Sequence, residues 1–248
     1  MKITKILKLL SFSFLIIAII VSCEKSDPED EDPQQEEDNN TFTDARDGKQ
    51  YKMIKIGTQT WMAENLAYLP SVNRPSEESS TDPRYYVEAY DGTSVDDAKA
   101  TDNYEDYGVL YNWTAASEAC PTGWHLPSDD EWKVLEMHLG MSQEEADEIG
   151  CLSRGSDEGS QLAGNSSLWD PGLLKTNSAF GSSSFEALPG GFLYNETFSG
   201  TGRYGKWWSK TTSYSRVIDR SLYYNNSHSG RGDESHKEYG YSVRCVKD

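Results

Sequence analysis

The sequence predicts one α+β domain, rich in loops, with two or three helices and a set of short antiparallel strands. Three observations carry that expectation. Helical spacing with two capping boxes is concentrated between residues 128 and 150. A strand-like hairpin precedes that region, and short aromatic runs separated by Gly, Ser, Asn and Asp follow it. Aromatics are abundant, with 15 Tyr and seven Trp, although mean hydropathy is only −0.72. A core of Trp and Tyr between long connections suits neither a helix bundle nor a parallel α/β sheet.

The first 22 residues read as a secretory signal peptide. Lys2, Lys5 and Lys8 form a charged leader, and Leu9 to Val21 is apolar apart from Ser11 and Ser13. That run is shorter than the roughly 20 residues a membrane span needs. It ends Ile20-Val21-Ser22-Cys23, which resembles a lipobox, so Cys23 is the expected lipid attachment site and first mature residue. Residues 23–40 then form an expected disordered tether: Glu24 to Asn40 holds nine acidic residues, one lysine and no apolar side chain. Acidic residues directly after the lipidated cysteine resemble a surface-export signal. The expected location is therefore the outer membrane, through the lipid anchor, with the domain exposed at the cell surface.

Residues 41–248 are long enough for one domain. The chain is formally −18; three leader lysines and a net −8 on the tether leave about −13 for this part. So acidic a domain is not expected to bind nucleic acid or anionic lipid through its general field.

Asp47-Gly48 marks a hairpin turn between two strand-like runs, and Gly57-Thr58 a second turn before Trp61–Leu66. Pro70 to Asp106 reads as a polar surface insertion with a short helix near Val95 to Ala100. Tyr107–Trp113 reads as a buried strand-like link, and Thr114–Cys120 as a short helix. Ser128 with Glu131 and Ser142 with Glu145 open two further helices, the first stopped by Gly140. The candidate strands beyond are Phe185–Leu188, Gly191–Tyr194, Lys206–Ser209, Arg216–Tyr224 and Tyr241–Val246.

The segments IGTQTWMAENL, YGVLYNWTAA, CPTGWHLPSDDEW, ALPGG, WWS and GYSVRCVKD, in that order, resemble the Fibrobacter succinogenes major paralogous domain across Thr41 to Asp248. That resemblance implies an exported lipoprotein domain and no established general activity. More distantly, the order resembles the sulfatase-modifying-factor and C-type-lectin-like folds, with Gly123–Pro127 opening the second helix and Gly240–Val246 closing the domain. Three cysteines follow Cys23, an odd number in a compartment that permits disulfides. The lectin-like arrangement, in which the first helix packs beside the last strand, implies a Cys120–Cys245 bridge with Cys151 left free. Cys120 with Cys151 is the competing pair; it closes a much shorter loop.

No catalytic residue, metal or cofactor is expected. Cys245 has no partner cysteine nearby in sequence for copper chemistry of the sulfatase-modifying kind, and the carboxylate triplets of calcium-dependent lectins are missing. His125, His138, His228 and His236 are not spaced as metal pairs. Trp124, Trp132, Trp207 and Trp208 could stack on sugars, but anchoring the core is the stronger expectation. Arg231-Gly232-Asp233 reads as an integrin-type tripeptide in a loop and is expected to be a chance match. The expected function is a non-catalytic binding or interaction module for an extracellular glycan or protein not named by the sequence. The alternatives are a structural subunit of a surface assembly and an enzyme of sulfatase-modifying ancestry.

Overall fold

A computed structural model describes residues 40–150 and 153–248. The strands are β1 (Thr41–Thr43), β2 (Gln50–Ile56), β3 (Gln59–Met62), β4 (Tyr85–Tyr86), β5 (Leu110–Tyr111), β6 (Trp124–His125), β7 (Phe192–Tyr194), β8 (Thr197–Ser199), β9 (Tyr204–Ser213), β10 (Arg216–Tyr223), β11 (Gly230–Ser235), β12 (Tyr241–Ser242) and β13 (Val246–Lys247). They form a five-stranded sheet ordered β1-β2-β3-β13-β6, a six-stranded sheet ordered β11-β10-β9-β12-β5-β4, and the hairpin β7-β8. The fold is mixed α+β, as expected.

Helices are short. They are α1 (Val95–Lys99), α2 (Asp102–Tyr107), α3 (Trp113–Ala116), α4 (Asp129–Leu139), α5 (Gln143–Asp147), α6 (Glu158–Leu162) and α7 (Leu173–Thr176). Only α4, at 11 residues, exceeds six, and the expected two or three helices become seven short ones among the described residues. Both expected capping boxes form, on Ser128 and Ser142. The unforeseen α2 buries Tyr104 and Tyr107, one turn apart, in an otherwise polar hexapeptide.

The chain's last turn knits the two sheets together. Ser242 in β12 pairs parallel with Trp207 in β9, and Val246 in β13 lies between Trp61 and His125 in the other sheet. Tyr241–Val246 is thus two strands rather than one, because it crosses between sheets. Between them, Leu66 N donates to Val243 O at 2.8 Å and Met62 N to Cys245 O at 3.0 Å.

Strand alternation sends neighbouring residues into two different cores. Met62, Trp208 and Cys245 enter a core with Tyr51, Trp124 and Tyr241. Their chain neighbours Trp61, Trp207 and Val246 enter a second core with Trp132, Trp169 and Phe185. There the Trp61 and Trp132 rings lie 4.9 Å apart, and Phe185 meets both edge-on at 5.6 and 5.8 Å. Trp124, Trp132, Trp207 and Trp208 are all at most 8% exposed, so they are core anchors.

Two further expectations need correction. Phe185–Leu188 is not a strand; its backbone carbonyls face a buried arginine and a neighbouring loop. The Arg231-Gly232-Asp233 tripeptide lies in β11, not in a loop. GRGDES has poor strand propensity, but pairing to β10 and the Gly150–Arg231 bridge override it. A Cβ on Gly232 would meet Asp219 Oδ1 at 2.6 Å, so a larger residue there would have to displace the buried Asp219 carboxylate.

Candidate functional site

Four of the six motifs contribute to one buried polar junction around Asn65. Its amide nitrogen donates to Tyr107 O at 3.0 Å and to Ser242 Oγ at 3.3 Å. Its oxygen accepts from Trp207 Nε1 at 2.9 Å and from Arg244 Nη2 at 3.0 Å. Arg244, fully buried, also donates to Phe185 O and to Glu186 O, the latter at 3.0 Å, and its guanidinium sits 4.5 Å from the Phe185 ring centre. The segment just before ALPGG is therefore clamped by an arginine from the closing motif. Burial drags the Arg244 pKa down to about 9, against the pull of Glu64 and Glu186.

Above that junction runs an open groove of about 670 Å³. Lys52, Met53 and Ile54 of β2 and the turn at Ala63-Glu64 form one wall; Asn165, Ser184, Glu186 and Leu188 form the other. Asn165, Ser184 and Glu186 hold φ of +44°, +56° and +57°. Such conformations in non-glycine residues cost about 1–3 kcal/mol each and persist where surrounding contacts over-determine them. Here the determinants are visible: Arg244 holds the Phe185 and Glu186 carbonyls, Ala187 N donates to Leu162 O at 2.9 Å, and Gly164 N to Ala187 O at 2.9 Å. Glu64 Oε2 accepts from Lys52 N at 2.7 Å, which fixes the facing wall. Glu64 and Leu188 also border a smaller pocket of about 50 Å³ beside Glu105 and Asp106.

A second buried polar cluster joins α4 to the six-stranded sheet. Glu136 accepts from Arg154, from Arg220 Nε at 2.9 Å and from Ser229 Oγ at 2.8 Å. Asp129 pairs with Arg220 at 2.8 Å and with Arg231 at 2.7 Å. Burial raises both carboxyls, and the guanidinium groups overcome it, holding both below the usual carboxylate range. Arg231 is therefore spent inside the fold, and the tripeptide cannot present it to a partner.

Cys120 and Cys245 are joined by a disulfide, with Cα atoms 5.9 Å apart. Cys23 and Cys151 lie outside the described residues. His125 bridges Asp248 at 2.6 Å and Glu131 at 2.7 Å. Burial works against its charged form, but the two carboxylates prevail and raise its pKa. Among the described residues no group of three or more His, Cys, Asp or Glu is placed to hold a metal ion, and no helix is long and apolar enough to cross a membrane.

The groove residues were not foreseen. ALPGG marked the neighbourhood, but nothing in Ser184 or Glu186 signals a left-handed backbone. Neither the curated proteins nor the solved structures hold a match to the chain. The Fibrobacter succinogenes major domain model matches residues 54–247, a span that includes Asn65, Trp207, Arg244 and both bridged cysteines, and the chain belongs to that family.

Proposed function

We propose that this chain is a surface-displayed, non-catalytic binding module. A lipid on Cys23 holds it to the outer membrane, and the groove between β2 and the 184–188 loop receives part of an extracellular glycan or protein. The observation that carries this reading is the groove wall, where Ser184 and Glu186 hold left-handed conformations in a loop whose Phe185 and Glu186 carbonyls a buried arginine fixes, with a left-handed Asn165 also lining the groove. Strain maintained beside an open groove is what a pre-organised site requires. The side chains of Asn65, Trp207, Ser242 and Arg244 are engaged with one another and with nearby backbone in the interior, which supports a framing role for them rather than a chemical one. Engagement of Cys245 with Cys120 likewise argues against copper-dependent cysteine chemistry at the closing strand. The stapling of the last strands to the region just after the first motif helix supports kinship with C-type-lectin-like and sulfatase-modifying-factor-like folds.

The test displays the full chain on cells and exposes it to a glycan array and to surface-protein extracts. Lys52 is exposed and faces the groove, so Lys52→Trp fills the space without touching the core. Cells with the wild-type chain should retain a ligand that Lys52→Trp cells lose at equal surface amount. Equal retention would remove the groove from the account. Separately, Cys23→Ala should release the protein from the membrane fraction; unchanged fractionation and processing would contradict the anchor.

A second reading, a subunit of a surface assembly, draws on the edge of β2. The strand β1 pairs with Gln50–Lys52 and Met53 N donates to Asn40 O at 2.6 Å, so among the described residues Ile54–Ile56 has no ladder partner on that side. Such an edge can accept a strand from a neighbour.

A further inference from the structure

A different surface carries a feature that the groove above lacks: unpaired cations beside exposed aromatic rings. Ser80, Ser215, Arg216, His236, Lys237 and Glu238 line an open depression of about 400 Å³. Within a chain of net charge −18, the Arg216 guanidinium and the Lys237 ammonium make no hydrogen bond or ion pair among the described residues. Lys237 is instead held over the Trp113 ring, 4.4 Å from its centre. Glu238 is engaged by His236 at 3.1 Å. Two further carboxylates, Glu78 and Glu196, lie near Glu238, and burial with these like charges pushes the Glu78 pKa up against a hydrogen bond from the Glu196 backbone.

Tyrosines lie next to the residues that line the depression. The Tyr239 ring lies 5.0 Å from the His236 ring and 4.9 Å from that of Tyr194, which is 45% exposed. Tyr214, at the tip of the β9–β10 hairpin and immediately before Ser215 and Arg216, is fully exposed with φ +53°. The fold aims these groups. Both ladders of β10 are irregular between Val217 and Asp219, and bulges there turn the hairpin tip. Tyr239 N donates to His236 O at 3.2 Å, which closes the turn that presents residues 236–239.

A pyranose ring offers an apolar C–H face to an aromatic side chain and hydroxyls to mixed donors and acceptors. A carboxylate on that ring supplies the charge that two unpaired cations lack. We propose that this depression binds a carboxylated sugar, a uronic-acid unit of an anionic polysaccharide, with Arg216 and Lys237 on the carboxylate and Tyr194 and Tyr239 against the ring. This site is independent of the groove assigned above, and filling that groove with Lys52→Trp should leave it unchanged.

The test uses the full chain in detergent and two immobilised polymers with the same backbone: polygalacturonate and its fully methyl-esterified form. Wild type should be retained by the acid polymer, about tenfold or more weakly by the ester, and progressively less as salt rises. Arg216→Gln with Lys237→Gln should abolish the preference for the acid form, and Tyr194→Ala should weaken retention on both polymers. No retention on polygalacturonate, or equal retention on the ester, would overturn the proposal using the wild-type protein alone. Unchanged binding by the folded double variant would overturn the assignment of the two cations.

Discussion

Arg154, Arg220 and Arg231 are buried against two carboxylates, whereas Arg244 is buried against carbonyl and amide oxygens alone. The first cluster ties α4 to β10, β11 and the segment after α5, and each of its guanidinium groups has a carboxylate partner. The second holds one uncompensated guanidinium, whose Nε has no partner. Ion pairing stabilises the contacts between distant segments in the first region. In the second, the guanidinium fork fixes two successive backbone carbonyls of a left-handed turn. The difference separates a device that holds the domain together from one that shapes a groove wall.

The comparison breaks most sharply at Glu136. Replacing it with Ala leaves the buried Arg154 guanidinium without a counter-charge and removes one of the two carboxylates from Arg220, a kind of loss that typically costs about 3–5 kcal/mol. Urea denaturation should show that loss; a change under about 1 kcal/mol would mean the cluster is solvated in solution. Asn65→Ala should cost somewhat less, on the order of 3 kcal/mol, since Trp207 Nε1 and one Arg244 nitrogen lose their acceptor. A loss as large as that of Glu136→Ala would erase the distinction between the regions.

Glu88 sharpens the comparison from the acidic side. It is 8% exposed, accepts from Thr201 Oγ1, and has no partner at Oε2. Burial raises its pKa to about 7 from 4.5, with the Thr201 hydrogen bond opposing. Between those two values the folded state binds the proton more tightly than the unfolded chain. Stability therefore falls as pH rises through that window and stays reduced above it. Glu88→Gln should be nearly neutral at pH 4 and stabilising by on the order of 2 kcal/mol at pH 8. Thermal melts at the two pH values check this, and equal shifts at both would contradict it.

Much of the frame was legible because it rests on local chemistry. Asp47-Gly48 and Gly57 gave the turns, the two capping boxes gave α4 and α5, and the motif order gave the family. The Cys120–Cys245 bridge followed from the fold resemblance; it closes a loop of 125 residues, for which chain entropy allows at most about 4–5 kcal/mol. What escaped depends on partners far away in sequence. β11 is a strand only because β10 lies beside it. Phe185–Leu188 has strand composition, but Arg244, some 59 positions on, takes the Phe185 carbonyl. The left-handed turns at Ser184 and Glu186 have no glycine to announce them, so the groove they border was invisible in the sequence.

Native-state amide exchange in Arg244→Lys tests most directly the claim that the buried arginine shapes the groove wall. Lysine keeps the charge and loses the fork that spans both carbonyls. Protection at Gly164 and Ala187, whose amides tie down the groove loop, should fall by about tenfold or more. Protection at Gly150 and Arg231, which pair across the ion cluster, should stay as in the wild type. A uniform fall at all four amides, or none at Gly164 and Ala187, would contradict the account.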